Sequence, residues 1–370
     1  MTQTFICAHC GGTRPQSALE IFDETAICHD CFMSETTICA HCGDRIWNRD
    51  NAATEYTPIC QSCCESHYSV CEDCGALIHN DDCCYVSDDS DNPYCHRCVE
   101  NHRTDCGIQS YYYRPNPIFY GNGNRYFGVE LEIDNGGESD SVADLLLGIG
   151  NREDDYIYIK HDGSLDDGME IVTHPMTLDF HRDRMPWEEL TQIALRQGYY
   201  SHRAQTCGLH VHVNRNSLGD TAIAQEDTIA RILYFVEAHW NELLCFSRRT
   251  QRQLNKWAAR YGRKDSPKEV LDTAKHSGGS RYTCVNLTNT DTIEFRIFRG
   301  TLKTNTIIAT LELVNQLCSV ALSSSDAQMQ ELTWTAFVRD LDADKHQALI
   351  QYLKERRLYV SEPVEVEDEK

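Results

Sequence analysis

Cysteine spacing constrains this chain more than any other feature. Sixteen of its twenty cysteines precede residue 107. Seventeen residues separate Cys7-x2-Cys10 from Cys28-x2-Cys31, and seventeen separate Cys39-x2-Cys42 from Cys60-x2-Cys63. Twenty separate Cys71-x2-Cys74 from Cys95-x2-Cys98. Cys7, Cys39 and Cys71 recur every 32 residues, and seven residues join each set to the next. An apolar residue precedes each opening pair (Ile6, Ile38, Val70), and a glycine follows it (Gly11, Gly43, Gly75). Glycine suits a tight knuckle that turns the backbone around a metal. Zn2+ takes four soft ligands tetrahedrally, and paired CxxC knuckles supply them. Units this small lack an apolar core of their own, so metal binding would supply their folding energy. The spacing therefore predicts three zinc modules, over residues 1–35, 36–67 and 68–106. An iron–sulfur cluster is a weaker fit to one shared ribbon-like spacing. A redox relay normally places CxxC beside a βαβ pattern, which is absent. Cys64, Cys83, Cys84 and Cys106 fall outside the repeat. His29 and His96 lie within second knuckles, where complete four-cysteine sets leave them unneeded.

So many thiols without a secretory leader imply a reducing compartment, and the expected location is cytoplasmic. No run of eighteen apolar residues exists, so no membrane span is expected. The net charge is -23. Residues 1–106 hold 18 acids against 5 arginines and no lysine, which is -13; the rest holds 39 acids and 29 bases, which is -10. An acidic zinc segment disfavours a nucleic-acid partner, which needs clustered Lys and Arg. It suits a basic protein partner or simple solubility.

Residues 107–124 read as a linker, rich in Tyr, Pro and Gly, and residues 361–370 as an acidic disordered tail. Residues 125–360 between them form the larger domain. There the pattern becomes strand alternation. Phe127, Val129, Leu131 and Ile133 face one way, and Glu130 and Glu132 the other. Two carboxylates side by side on one face favour a cation between them. Leu209, Val211 and Val213 alternate with His210, His212 and Asn214. Ile293, Phe295 and Ile297 alternate with Glu294 and Arg296, and Arg299 ends that strand. A carboxylate beside a guanidinium is an ion pair or a phosphoryl-transfer site, where one group holds Mg2+ and the other neutralises phosphate. Asp162-Gly-Ser164 reads as a tight turn. Glu170 sits inside an apolar strand, costly unless paired or metal-bound. The segment from His276 to Tyr282 resembles a flexible loop at a site rim. Residues 224–245 and 306–322 carry apolar residues at helical spacing and read as core helices. Cys207, Cys245, Cys284 and Cys318 are scattered singly and read as buried thiols.

Taken as a set, Gly128-Val-Glu-Leu-Glu, Asp162-Gly-Ser with Glu170-Ile-Val-Thr, Cys207-Gly-Leu-His-Val-His, and Thr292-Ile-Glu-Phe-Arg with Arg299-Gly-Thr-Leu resemble the amidoligase family. Its members are carboxylate–amine ligases of the glutamine-synthetase-like fold, many from phages and bacteria. The resemblance spans roughly residues 125–357. It implies an α+β catalytic domain in which an antiparallel sheet cups ATP and divalent metals, Mg2+ or Mn2+. By motif, Glu130, Glu132, Glu170, His210 and Glu294 would be metal ligands, and Arg296 and Arg299 would bind phosphate or carboxylate. His212 would lie nearer the nucleotide, with Asp162 and Ser164 as further nucleotide or substrate contacts. The implied reaction is ATP-dependent amide formation through an acyl phosphate. Its substrate would be a peptide, a protein, or a small amine plus carboxylate, with three Zn2+ modules recruiting a protein partner. Two other readings remain open. One is a non-catalytic adaptor that binds nucleotide. The other is a zinc hydrolase built on His210 and His212, active without ATP. The substrates and the oligomeric state are not legible in the sequence.

Overall fold

The computed structural model describes residues 4–54, 56–85, 91–99, 107–276 and 281–359. Cys106, the Ser-Gly-Gly-Ser part of the expected rim loop and the acidic tail 361–370 lie outside the described residues. The chain forms two compact units, Met1–Arg103 and Thr104–Lys370.

In the first unit the repeat is also a structural repeat. Each opening CxxC knuckle follows a short strand that pairs with a second: Thr4–Ile6 with Thr13–Pro15, Thr36–Ile38 with Arg45–Trp47, and Tyr68–Val70 with Leu77–His79. The second knuckles open helices His29–Glu35 and Gln61–His67. Each helix runs directly into the first strand of the next module. The seven joining residues are thus helix and strand rather than slack chain. Gly11, Gly43 and Gly75 adopt φ of 69°, 80° and 69°. At that conformation an L side chain is strained, and each glycine N–H donates to the carbonyl of its leading cysteine at 2.9 Å. Cys83 and Cys84, outside the repeat, are buried with Ile78, Tyr94 and Val99 in the third module's small core.

The second unit is built on a six-stranded sheet. Its strands are β1 (Phe127–Ile133), β2 (Ile157–Lys160), β3 (Met169–Thr173), β4 (Gly208–Asn214), β5 (Val285–Asn286) and β6 (Thr292–Arg299). Their order is β2-β3-β1-β4-β6-β5, and every neighbouring pair is antiparallel. One face carries Val129, Leu131, Ile159, Ile171, Leu209, Val211, Ile293 and Phe295, all buried in one apolar core. Helices on that side include α1 (Leu178–Asp183), α2 (Trp187–Arg196), α3 (Ala222–Ala238), α4 (Trp240–Ser247) and α5 (Thr304–Ser323). The helix expected over 224–245 is two helices. Its chain leaves helical geometry at His239 (φ -109°, ψ 32°), whose Nε2 is held by the Leu332 carbonyl at 3.0 Å. By length and composition α5 is apolar enough to cross a membrane, but 67% of its apolar window is buried inside the unit.

The stretch read as a linker is laid against the sheet. Gln109 donates to Ile159 at 2.7 Å and accepts from His161 at 2.9 Å, while Tyr120 exchanges backbone bonds with Pro175 and Thr177. Ile108, Tyr113 and Tyr120 are buried. The tyrosines that look like spacer chemistry in sequence are packing groups here, and the bonded backbone accounts for its own polar atoms.

Candidate active site

Strand alternation on the sheet's other face brings the acidic residues into one patch. Along the register, Lys160 faces Glu170, Glu170 faces Glu132, Glu130 faces His210, His212 faces Glu294, and Glu294 faces Asn286. The patch therefore crosses all six strands. Glu132, Glu170, His210 and Glu294 are each 2–3% exposed. Buried carboxylates require partners, and the partners are specific. His210 Nδ1 lies 3.2 Å from Glu130 and 3.7 Å from Glu294, and its Nε2 lies 3.6 Å from Glu132. His212 Nε2 is 3.1 Å from Glu130, and its Nδ1 is 3.2 Å from Thr292 Oγ1. Arg296 pairs with Glu294, to which Asn286 donates at 2.8 Å. The Gly208 N–H donates to Glu132, and Lys160 Nζ is 3.1 Å from Glu170.

The electrostatics divide these acids. Burial pushes Glu130 up, but His212, hydrogen bonds from His210 and His212, and the Lys160 charge together hold it well below the usual range. Glu294 is lowered for similar reasons: against burial, Arg296 and His212 favour its charge. Burial raises Glu132, and His210 only partly offsets it. Burial raises Glu170 well above the carboxylate range; Lys160 pulls against it, and Glu130, Asp162 and Glu132 add to the push. Crowded acids with raised affinities for protons are acids short of positive charge. One carboxylate oxygen each of Glu130 and Glu294 and one ring nitrogen of His210 lie within 4.8 Å of one another. An oxygen-rich set of this kind fits a hard divalent cation.

Of the other residues read from the sequence, Asp162 caps the turn after β2, accepting the Ser164 N–H at 2.7 Å, and its charge acts on Glu132 and Glu170. Ser164 is held in that turn. Arg299 lies across from Gly208 at the end of β6, beyond a bulge in the β4–β6 pairing, and donates to the Arg248 carbonyl at 3.2 Å. Cys207 is buried, and burial raises its thiol, which makes it a packing group.

Two residues of the site went unsingled in the sequence. Lys160 follows the alternation of β2, where Ile157 and Ile159 face the core, so period-two counting finds it. Arg249 follows α4 in irregular chain just after Arg248, whose φ is 60°. Arg249 is 7% exposed, and its Nη1 has no hydrogen-bond partner among the described residues. Burial lowers it to about 10 against the attraction of Glu132. No periodicity marks such a position.

The cysteine sites are equally regular. The sulfurs of Cys7/Cys10/Cys28/Cys31, Cys39/Cys42/Cys60/Cys63 and Cys71/Cys74/Cys95/Cys98 each lie within 4.8 Å of one another. Cys10–Cys28, Cys42–Cys60 and Cys74–Cys95 are 4.0, 4.0 and 3.7 Å apart. Zinc–sulfur bonds of ~2.3 Å give a tetrahedral edge of about 3.8 Å, whereas a disulfide needs ~2.05 Å. The leading sulfurs Cys7, Cys39 and Cys71 accept backbone N–H groups from the second knuckles at 3.2–3.3 Å. Cys7 is lowered to about 6, first by the Cys10 N–H. Cys39 and Cys71 fall to about 6 because, against burial, knuckle N–H groups stabilise the thiolate. Zinc binds that thiolate form. The three clusters fit zinc modules.

Residues 148–318 match the family model described as "Putative amidoligase enzyme". The match takes in Glu170, His210, His212, Glu294, Arg296 and Arg299 and begins after β1. No curated protein matches the chain. Among solved structures, a bifunctional glutathione synthetase from Pasteurella multocida is similar at 14% identity and a TM-score of 0.33, over 65% of this chain and 45% of that one. The complex between the prokaryotic ubiquitin-like protein Pup and its ligase PafA is similar at 10% identity and a TM-score of 0.29, over 63% of this chain and 57% of that one. The chain thus spans about half the length of these structures. With three four-cysteine clusters in its first unit, the chain carries in its second a stretch, residues 148–318, that is similar to the amidoligase family.

Proposed function

We propose that the second unit is an ATP-dependent carboxylate–amine ligase acting on a peptide, a protein or an amino-acid-like substrate. The observation that carries this reading is the row of four glutamates on one sheet face, three buried and Glu130 half-buried, flanked by Lys160, Arg249 and Arg296. A packed core has no use for such a row, and phosphoryl transfer needs both signs of charge close together.

Glu130, His210 and Glu294 would hold a divalent cation, with Glu132 and Glu170 as neighbouring oxygen donors; bound there, Mg2+ would offset negative charge on nucleotide phosphates. Arg296 and Arg249 face the acids and would stabilise the transferring phosphoryl group. A carboxylate is a poor electrophile because it already carries charge. Transfer of the terminal phosphoryl of ATP to one of its oxygens makes that oxygen a leaving group. Amine attack at the carbonyl carbon then forms the C–N bond, breaks the C–O bond and releases phosphate. The amine attacks neutral, and a carboxylate of the row accepts the proton it sheds. The zinc modules would present the protein partner. Their thiolates require a reducing compartment, in keeping with a cytoplasmic location.

The test is nucleotide turnover by the full chain with Mg2+ and pooled peptides, followed by mass spectrometry of the peptides. ADP together with a product equal to two components minus water supports the ligase. Arg296→Ala should then lower turnover roughly 100- to 1,000-fold, and Glu130→Gln should abolish it. ATP binding without ADP across a broad panel of amines would replace the ligase with an adaptor. Metal-dependent hydrolysis without ATP would replace it with a hydrolase.

A further inference from the structure

A second kind of side-chain cluster lies in the first unit, made of residues other than the knuckle cysteines. Three imidazoles meet at the junction of the second and third modules. His41 comes from the second module's first knuckle, His67 ends helix Gln61–His67, and His79 ends strand Leu77–His79. One ring nitrogen of each lies within 4.8 Å of the others. The ring centroids form a triangle with sides of 4.3, 5.4 and 6.3 Å. Imidazoles bound to one zinc at ~2.0–2.1 Å place their ring centres roughly 5 Å apart, close to the mean of these sides. The planes are within 18° of one another, a stacked arrangement, so the exposed rings of His41 and His67 would turn to point their lone pairs at one ion. Tyr68 stands edge-on to two of the rings, at 5.8 Å from His41 and 5.1 Å from His79, and walls the cluster on one side.

The repeat itself supplies the control. Counting back 32 residues from His41, His67 and His79 gives His9, Glu35 and Trp47. At that earlier junction His9 pairs with Glu35 at 3.6 Å, and Trp47 is buried against Phe22 with ring centres 5.1 Å apart. The same scaffold thus closes its first junction with an apolar plug and an ion pair. At its second junction it replaces the plug and the acid with imidazoles. Packing alone does not call for that exchange, since an aromatic already fits the position.

We propose that His41, His67 and His79 form a fourth metal site, of nitrogen-donor type, for a borderline divalent cation such as Zn2+. Its ion ties the second module to the third. Three protein ligands leave one position of the tetrahedron to water. The Asp81 carboxylate lies 3.6 Å from His79 Nδ1, which also accepts the Asp81 N–H at 3.2 Å. With a cation on the other ring nitrogen, Nδ1 would have to give up the Asp81 N–H and take the proton, and the ring and the nearby carboxylate would close from 3.6 Å to hydrogen-bond distance, the usual support of a metal-bound histidine. The site differs from the knuckles in softness: three imidazoles hold Zn2+, Co2+ and Ni2+ without thiolate.

Cobalt separates the two kinds of site spectroscopically. Co2+ added to metal-free full-length protein under reducing conditions should fill the cysteine sites first, with thiolate charge-transfer bands rising until three equivalents are bound. A fourth equivalent should then add visible ligand-field absorption with no further charge transfer. His79→Trp copies the residue that the repeat uses at its first junction. It should reduce the bound total from four equivalents to three and leave the charge-transfer intensity unchanged. That intensity also reports whether the modules have folded; if the variant loses it, His67→Ala, at an exposed ring, is read in its place. Binding that ends at three equivalents in the wild type overturns the proposal. So does a fourth equivalent that persists in the variant read. The charge-transfer bands test the cysteine sites separately, so failure of the histidine site is distinguishable from failure of the zinc modules.

Discussion

Lowering the pH should destabilise the second unit through one buried histidine. His181, on α1, is fully buried. Its Nε2–H donates to the Phe127 carbonyl at 3.0 Å, at the head of the strand that carries Glu130 and Glu132. Its Nδ1 has no partner among the described residues, so a second proton there would be a buried charge without an acceptor. Burial lowers this histidine from 6.5 to about 4. The sign follows from linkage. Below pH 6.5 the unfolded chain takes up a proton that the folded unit refuses until about pH 4, so stability falls as pH falls through that window and is fully present above it. At about 1.36 kcal/mol per pH unit, the loss amounts to about 3 kcal/mol, a large share of a domain's stability. Other groups titrate in the same window, so the informative quantity is a difference. His181→Gln keeps an N–H donor near the Phe127 carbonyl and cannot titrate. Denaturant unfolding of the second unit at pH 7, 6, 5 and 4 should give a shallower pH slope in the variant, by about 1.4 kcal/mol per unit below pH 6.5. Trp187, stacked on the ring with centres 6.0 Å apart, is a fluorescent reporter of the same region. Identical slopes for the two proteins, or an NMR titration of His181 near 6.5, would refute the reasoning.

Lys160→Met leaves Glu170 buried without its cation and should destabilise the second unit by about 3–5 kcal/mol; Lys160→Met/Glu170→Gln should recover part of that loss, and additive melting shifts would contradict the pairing. Gly168→Ala places a methyl 2.1 Å from the Ile133 carbonyl oxygen and 2.6 Å from the Asp134 Cα. Both are backbone atoms, so the β1–β3 pairing must shift, at about 1–3 kcal/mol or more, and an unchanged melting temperature would count against the register. Chelation of zinc should unfold the first unit, seen as a loss of far-ultraviolet ellipticity, while the denaturant transition of the second unit stays where it was. A first unit that keeps its ellipticity without metal would remove the role assigned to the cysteines.

Strand alternation makes much of the candidate site legible in the sequence. Period two states which residues share a face, and on that basis Glu130 and Glu132, His210 and His212, and Glu294 and Arg296 each share a side. Alternation is silent about which strands are neighbours. Glu170 meets Lys160 on one flank and Glu132 on the other only because β3 lies between β2 and β1. Lys160 therefore carried no more weight in the sequence than any strand-end lysine. Arg249 was beyond reach for another reason, since it stands in irregular chain where no period runs. The break at His239 escaped because apolar spacing continues across it; a side-chain bond to the distant Leu332 carbonyl fixes the bend.

The cysteine repeat shows the same division from the other side. Its 32-residue period fixed the ligand sets, because ligands of one site must recur at one spacing. What the period could not rank were the positions that depart from it. Trp47 and His79 occupy the same place in successive modules, as do Glu35 and His67. In one dimension these exchanges look like the drift expected between repeats. Folding brings both to His41, and a pair of unremarked substitutions becomes a set of three imidazoles at one junction. In a repeat protein the period identifies what every module shares, and the departures that converge in space mark where one module has acquired a task of its own.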